Sequence, residues 1–358
     1  MATIAKQRRT GRIPWVTLLL WALRIGILVI VLWGSIATLV SGRYTAENWV
    51  LLSMAGLAQG SIYALIALGY SLVYGILRFI NFAHGEVFMA GAFTSVFAAQ
   101  AMQSSDFVAE NQILSIAILM LVSMTASIIV ALLLERIAYR RLRNAPRLIP
   151  LITAIGASFF LQYTFRGFYG GGFYNYPEYG RMWGSIQVAS FDLQVVQIVV
   201  FVAALLMMAG LHTFVERTKT GKSMRAVAED KEVAELMGID VNRVIVITFA
   251  IGGLLAGAAG VFRGMYQPQG IYFRMGFQPG LKAFTAAVLG GIGNIPGAMI
   301  GGLFLGVFES IGPNLILQGL GIPAANQLKD AIAIVMLVVV LIFRPQGILG
   351  ERLAEEKA

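Results

Sequence analysis

Uncharged, mostly apolar runs recur along the 358-residue chain, at 25–42, 50–77, 111–134, 148–165, 194–211, 244–262, 283–308 and 331–343. Most reach the roughly 20 residues that carry a helix across the hydrocarbon core of a bilayer. The pattern predicts plain spans at 14–40, 113–134, 148–168, 194–214, 244–265 and 328–343. The regions 50–100 and 281–312 are longer, and each is interrupted by polar or turn-forming residues. The first interruption reads "RFINFAHGE" and the second "GGIGNIPGA". The predicted class is all-α, a polytopic integral membrane protein.

Composition agrees with the pattern. The chain is 58% hydrophobic and 13% charged, with a mean hydropathy of +0.77. A soluble domain carries about twice that charged share. Glycine is abundant, and Gly253/Gly257, Gly297/Gly301 and Gly302/Gly306 are spaced four apart. Small residues at that spacing let helix backbones approach closely in lipid, so the 253–260 run is predicted to pack against a neighbouring helix.

Charge orients the spans. Basic residues gather in four segments: Lys6, Arg8, Arg9 and Arg12; Arg136, Arg140, Arg141, Arg143 and Arg147; Arg217, Lys219, Lys222, Arg225, Lys231 and Arg243; and Arg344, Arg352 and Lys357. The excess of Lys and Arg in short connections marks the cytoplasmic side. The net charge of +9 is therefore a topology signal more than a sign of nucleic acid. With all four segments inside, 50–100 and 281–312 must each leave the outer face and return to it, as a pair of segments or a broken hairpin. That gives about ten membrane segments. It divides the chain into a cytoplasmic tail at 1–13, a transmembrane domain at 14–343 with a cytoplasmic loop at 215–243, and a cytoplasmic tail at 344–358. An interrupted segment in each half points to internal duplication, with a binding site where the repeats meet.

The first break concentrates the chemistry. Arg78, His84 and Glu86 are the only charged or histidine side chains between Glu47 and Asp106. At membrane depth such groups face protein or water, and by default they suggest function. Alternatively the turn lies at the cytoplasmic interface, with Arg78 snorkelling and Glu86 at a helix N-terminus. Asn81, His84, Glu86, Asn294 and Glu309 are the candidate residues of the substrate pathway and its hairpins. If these segments enclose a path for a solute with an aliphatic side chain, the path is expected to be apolar.

Several activities drop out. There is no Cys, and His84 and His212 are far apart, so no metal site is expected. "TGKS" at 220–223 lacks the upstream glycine of a phosphate-binding loop, because that position is Glu216. No nucleophile–base signature supports an intramembrane enzyme, and no catalytic residue or cofactor is assigned to the chain. The loop "ERTKTGKSMRAVAEDKEVAELMGID" (216–240) reads as a short amphipathic helix. Met224, Val227, Ala228, Ala234 and Met237 lie near one face, and Gly238 fits a helix stop. A helix of this kind fits either a solvated interface or a partner's groove.

Four blocks carry a family resemblance: "GSIYALIALGYSLVYGILRFINFAHGEVFMAGAF" (60–93), "RLIPLITAIGASFFLQ" (147–162), "GKSMRAVAEDKEVAELMGIDVNRVIVITFAIGGLLAGAAGVF" (221–262) and "GLKAFTAAVLGGIGNIPGAMIGGLFLGVFES" (280–310). They resemble the LivH-type permease subunit of bacterial branched-chain amino acid ABC transporters, over roughly 45–350. The resemblance implies an inner-membrane importer subunit for branched-chain or related amino acids, with both termini cytoplasmic. It implies a second, LivM-like permease, two cytoplasmic ATPase subunits that bind the ATP, and a periplasmic binding protein. It also makes 221–238 the coupling helix, with Gly221, Arg225, Ala228, Glu229, Asp230, Ala234 and Gly238 as its residues. A permease for amides or urea of the same family is the alternative, followed by an ion-coupled amino acid carrier. The first forty residues and the aromatic outer loop 166–184 depart from the family pattern.

Overall fold

The computed structural model describes residues 15–103, 107–143, 145–146, 148–176, 184–188, 191–267, 270–344 and 346–350. The predicted tail at 1–13, residues 351–358, Arg147 and residues 177–183 of the outer loop lie outside them. Among the described residues thirteen α-helices follow one another: α1 Trp15–Val40, α2 Ala46–Leu77, α3 His84–Gln103, α4 Phe107–Glu110, α5 Gln112–Leu133, α6 Leu148–Tyr169, α7 Val195–Arg217, α8 Lys219–Glu229, α9 Lys231–Leu236, α10 Val241–Tyr266, α11 Phe277–Gly290, α12 Ile295–Gly312 and α13 Lys329–Phe343. A two-stranded antiparallel hairpin, β1 Ser185–Val188 and β2 Phe191–Gln194, joins α6 to α7.

Among the described residues, eight helices are long and apolar enough to cross a membrane. The expected count of ten is not reached by that measure. α11 has 14 residues, about 21 Å at 1.5 Å per residue, short of a roughly 30 Å hydrocarbon core. α3 has 20 residues, but its polar start and small side chains make it the least apolar of the long helices.

The bundle is layered from the centre outwards. α2, α3 and α10 are buried over most of their length, while α1 and α13 present leucine, isoleucine, valine and tryptophan outward. Apolar surface of that kind suits lipid. Close approach depends on glycine at several contacts, two of them between spans. A Cβ on Gly306 of α12 would fall onto the Gly60 backbone of α2, and one on Gly257 of α10 would meet the Ser123 carbonyl and Met124 backbone of α5. The packing read from 253–260 is thus present, and the α2–α12 seam repeats it. α5 runs on through a wide helical turn at Leu134–Tyr139, which turns Glu135 and Tyr139 inward.

The basic segments that the structure describes share one end. Arg78 donates to the Ala228 carbonyl, Arg143 to Asn242, and Asn294 to the Leu349 carbonyl. Both interrupted segments break at this end: α2 stops at Leu77 and α11 at Gly290.

Candidate functional site

The first break begins where Arg78 adopts a left-handed conformation, at φ 58°, and ends α2. From there the chain turns back into the bundle. Asn81 organises the turn. Its side-chain oxygen accepts from the Ala83 backbone at 3.1 Å and from the Tyr139 hydroxyl at 2.5 Å. Its carbonyl accepts from the His84 backbone N–H, which starts α3. The turn, the wide segment of α5 and the start of α3 are therefore one hydrogen-bonded unit.

His84 and Glu86 are 2% and 1% exposed. The imidazole sits against Gly69 of α2 and Gly252 of α10, with its ring centroid 5.0 Å from that of Tyr70. Any side chain at 69 would overlap the ring. Glu86 reaches α6, where Oε1 accepts from Gln162 Nε2 at 2.7 Å and from Ser158 Oγ at 3.1 Å. Gly85 packs on Gly276 and Gly280 at the start of α11. Ser158 and Gln162 lie ten and fourteen residues past the start of α6, about 15 and 21 Å along it. Arg78 is exposed at the end of the bundle, whereas His84 and Glu86 stand at mid-span. Both readings of the break therefore apply, each to a different residue.

Asn294 stands at the second break and caps α12. Its Oδ1 accepts from the Gly297 N–H at 2.9 Å, and its Nδ2 donates to Leu349. Residues after α13 pair with the same break, since the Ile348 and Leu349 N–H groups donate to the carbonyls of Leu289 and Gly290. Glu309 is not beside it. Fifteen residues beyond Asn294 in α12, Glu309 accepts from Lys282 Nζ at 2.6 Å, and Lys282 also pairs with Asp330 at 2.6 Å. The structure thus brings Asn81, His84 and Glu86 together and leaves Asn294 and Glu309 in two other places.

Two cavities open between these parts. One of about 410 Å³ is lined by charged Arg263, Lys282, Glu309, Lys329 and Asp330, which is not the apolar conduit expected. The other, about 310 Å³, has that character: Tyr70, Phe82, Ile155, Phe159, Phe277 and Leu281 wall it, with Ser158 of the Glu86 network at its edge.

The loop at 215–243 departs from the single rigid helix expected. It forms two helices that bend at Asp230, whose side chain caps α9 by accepting from Glu232 N and Val233 N. The bend follows from the local competition of an aspartate for backbone donors. Gly221 does not end the helix. It lies in the first turn of α8, capped by Thr218 and packed on the last turn of α7. Gly238 does take the left-handed stop, at φ 82°. The predicted apolar face divides as well. Met224, Val227 and Ala234 face the bundle, Ala228 is half-buried, and Met237 points outward with Val233 and Leu236. Arg225 pairs with Glu216 on the surface, and Glu229 is exposed. Lys231, near the bend, has its ammonium held below the ordinary lysine value by burial and by the charges of Arg143 and Arg78.

Sequence reasoning missed Ser158, Gln162, Tyr139, Lys282, Arg263 and Asp330. Lys282 left a signal, as the lone charge between Arg274 and Glu309. The others depend on contacts between distant helices.

Residues 52–341 match the family described as branched-chain amino acid transport system, permease component. Over 304 residues, 82% of this chain and 94% of the relative, the sequence is 44% identical to the high-affinity branched-chain amino acid transport system permease protein BraD of Pseudomonas aeruginosa. It is 40% identical to the permease protein LivH of Escherichia coli, over 82% of this chain and 93% of the relative. Against the probable branched-chain amino acid transport permease protein LivH of Methanocaldococcus jannaschii the identity is 27%, over 81% of this chain and 89% of the relative.

Proposed function

Because the chain belongs to the family of branched-chain amino acid transport permease components, we propose that it carries branched-chain amino acids inward across the inner membrane as one subunit of an ATP-driven importer. The observation that carries this reading is the family match over residues 52–341, a range that takes in both breaks, the α8–α9 loop and α10. The partners implied are a second, LivM-like permease, two cytoplasmic ATPase subunits and a periplasmic binding protein. The end bearing α8 and α9 is cytoplasmic, since the described basic segments gather there, and the start of α1 and the residues after α13 lie on that side.

The geometry supports a division of labour. α9 offers Val233, Leu236 and Met237, which are 54%, 87% and 78% exposed, to a groove on an ATPase. α8 lies beneath it and holds Arg78 through the Ala228 carbonyl. A displacement of α9 thus has a short path into the first break. Asn81, His84 and Glu86 brace that break beside the apolar cavity: Asn81 and Glu86 Oε1 tie the turn and α6 by hydrogen bonds, and His84 packs on Tyr70.

The test is uptake by proteoliposomes that contain the four membrane and ATPase subunits, with the binding protein outside. Leucine uptake that needs ATP on the cytoplasmic side and survives an uncoupler supports the reading. Uptake of urea in preference to leucine, or uptake by this chain alone that an uncoupler abolishes, overturns it.

A further inference from the structure

The charged cavity lies toward the end of the bundle away from α8 and α9. Arg263 is three residues from the far end of α10, and Asp330 is one residue into α13. Its donors and acceptors do not balance. Lys282 is satisfied by Glu309 Oε1 and Asp330. Two further acceptors at the wall, Glu309 Oε2 and Gln59 Oε1, are buried and receive no well-formed hydrogen bond; the single hydroxyl of Tyr63 lies beside both side chains and has one proton to give. Glu309 is itself 6% exposed. A buried acceptor without a donor is costly in a folded protein, so a group that supplies donors there is favoured. Arg263 is the complement. Its Nη1 donates to the Gln267 carbonyl, and it is in no ion pair among the described residues.

We propose that this cavity seats a free α-amino acid, with its ammonium on Gln59 and Glu309 and its carboxylate on Arg263. The ammonium carries three donors for the two orphan acceptors. A planar guanidinium matches a carboxylate through two parallel bonds. The side chain of the cargo then lies among Leu52, Tyr63, Tyr266 and Pro279, and the volume of about 410 Å³ suits a small ligand. The seat reads the zwitterion common to all α-amino acids and not the branched side chain. An amide or urea lacks one or both charges and gains nothing from it. This inference rests on the importer reading and adds to it a loading site on the outer half.

The experiment uses the assembled permease–ATPase complex in lipid nanodiscs, without the binding protein, and tritiated leucine. Wild type binds leucine, and unlabelled leucinamide and 4-methylpentanoate each displace it at least 10-fold more weakly than leucine does. Gln59→Leu removes an acceptor whose polar neighbour is the Tyr63 hydroxyl, and Glu309→Gln leaves Lys282 paired with Asp330. Each variant co-purifies with its partners and binds leucine at least 10-fold more weakly. Absence of leucine binding by wild type, equal displacement by 4-methylpentanoate, or wild-type affinity in both variants overturns the seat. ATP-driven leucine uptake by the complete wild-type system separates the two readings: with uptake intact, any of those results overturns the seat alone, and without uptake the importer reading itself falls.

Discussion

Arg78 and Ala228 are 150 residues apart, yet the Arg78 Nη2 donates to the Ala228 carbonyl at 2.7 Å. The bond ties the break between α2 and α3 to the helix that lies outside the span. Replacing Arg78 with Gln shortens the reach and removes the charge. An exposed hydrogen bond of this kind contributes about 1 kcal/mol, roughly a five-fold change in an equilibrium. Arg78→Gln is expected to lower leucine transported per ATP several-fold while the ATPase subunits still co-purify. Unchanged stoichiometry would show that the bond carries no motion.

The Glu86 network predicts a graded response. Glu86→Gln keeps an acceptor for Gln162 and Ser158 and leaves the fold nearly intact. Glu86→Ala strands both donors at mid-span, where a buried polar group without a partner costs about 1–3 kcal/mol. Thermal unfolding in nanodiscs is expected to rank wild type, Gln, then Ala, with Ala clearly lowest. Equal stability of wild type and Glu86→Ala would remove the bracing role.

Helix contact can be tested with two glycines. Gly306 meets the α2 backbone, whereas nothing lies within 4 Å of a Cβ on Gly210 of α7. Gly306→Leu is expected to abolish accumulation of the folded protein, and Gly210→Leu to be tolerated in the lipid-facing position. Purification yield and a monodisperse elution profile distinguish them. Tolerance of Gly306→Leu would mean that α2 and α12 are not closely seated.

Legibility in the sequence followed the range of the interaction. The spans were readable because a membrane imposes a long apolar run on each of them, and α6, α7, α10 and α13 begin and end within a few residues of expectation. The breaks were readable because an isolated polar string or a Gly–Pro cluster cannot continue a lipid-exposed helix. The bend at Asp230 was not, since Met224, Val227 and Ala234 keep one face through both a straight helix and a bent pair. The ion pairs of Lys282 with Glu309 and Asp330 join helices 27 and 48 residues apart, and no local pattern encodes which charge meets which. The depth of Glu86 also waited on α6, because Ser158 and Gln162 look like ordinary polar residues of an apolar helix.

In the proposed importer the ATPase contacts the outward face of α9, and a pair of variants tests this contact most directly. Leu236→Asp places a charge at an exposed apolar position, 87% exposed, and Glu232→Ala removes an exposed acid that is in no ion pair among the described residues. The measurement is ATPase co-purification together with leucine uptake in proteoliposomes. The prediction is loss of both for Leu236→Asp and near-wild-type values for Glu232→Ala. Full ATPase binding and full uptake by Leu236→Asp would contradict it, and would move the contact to the basic segment at 136–147.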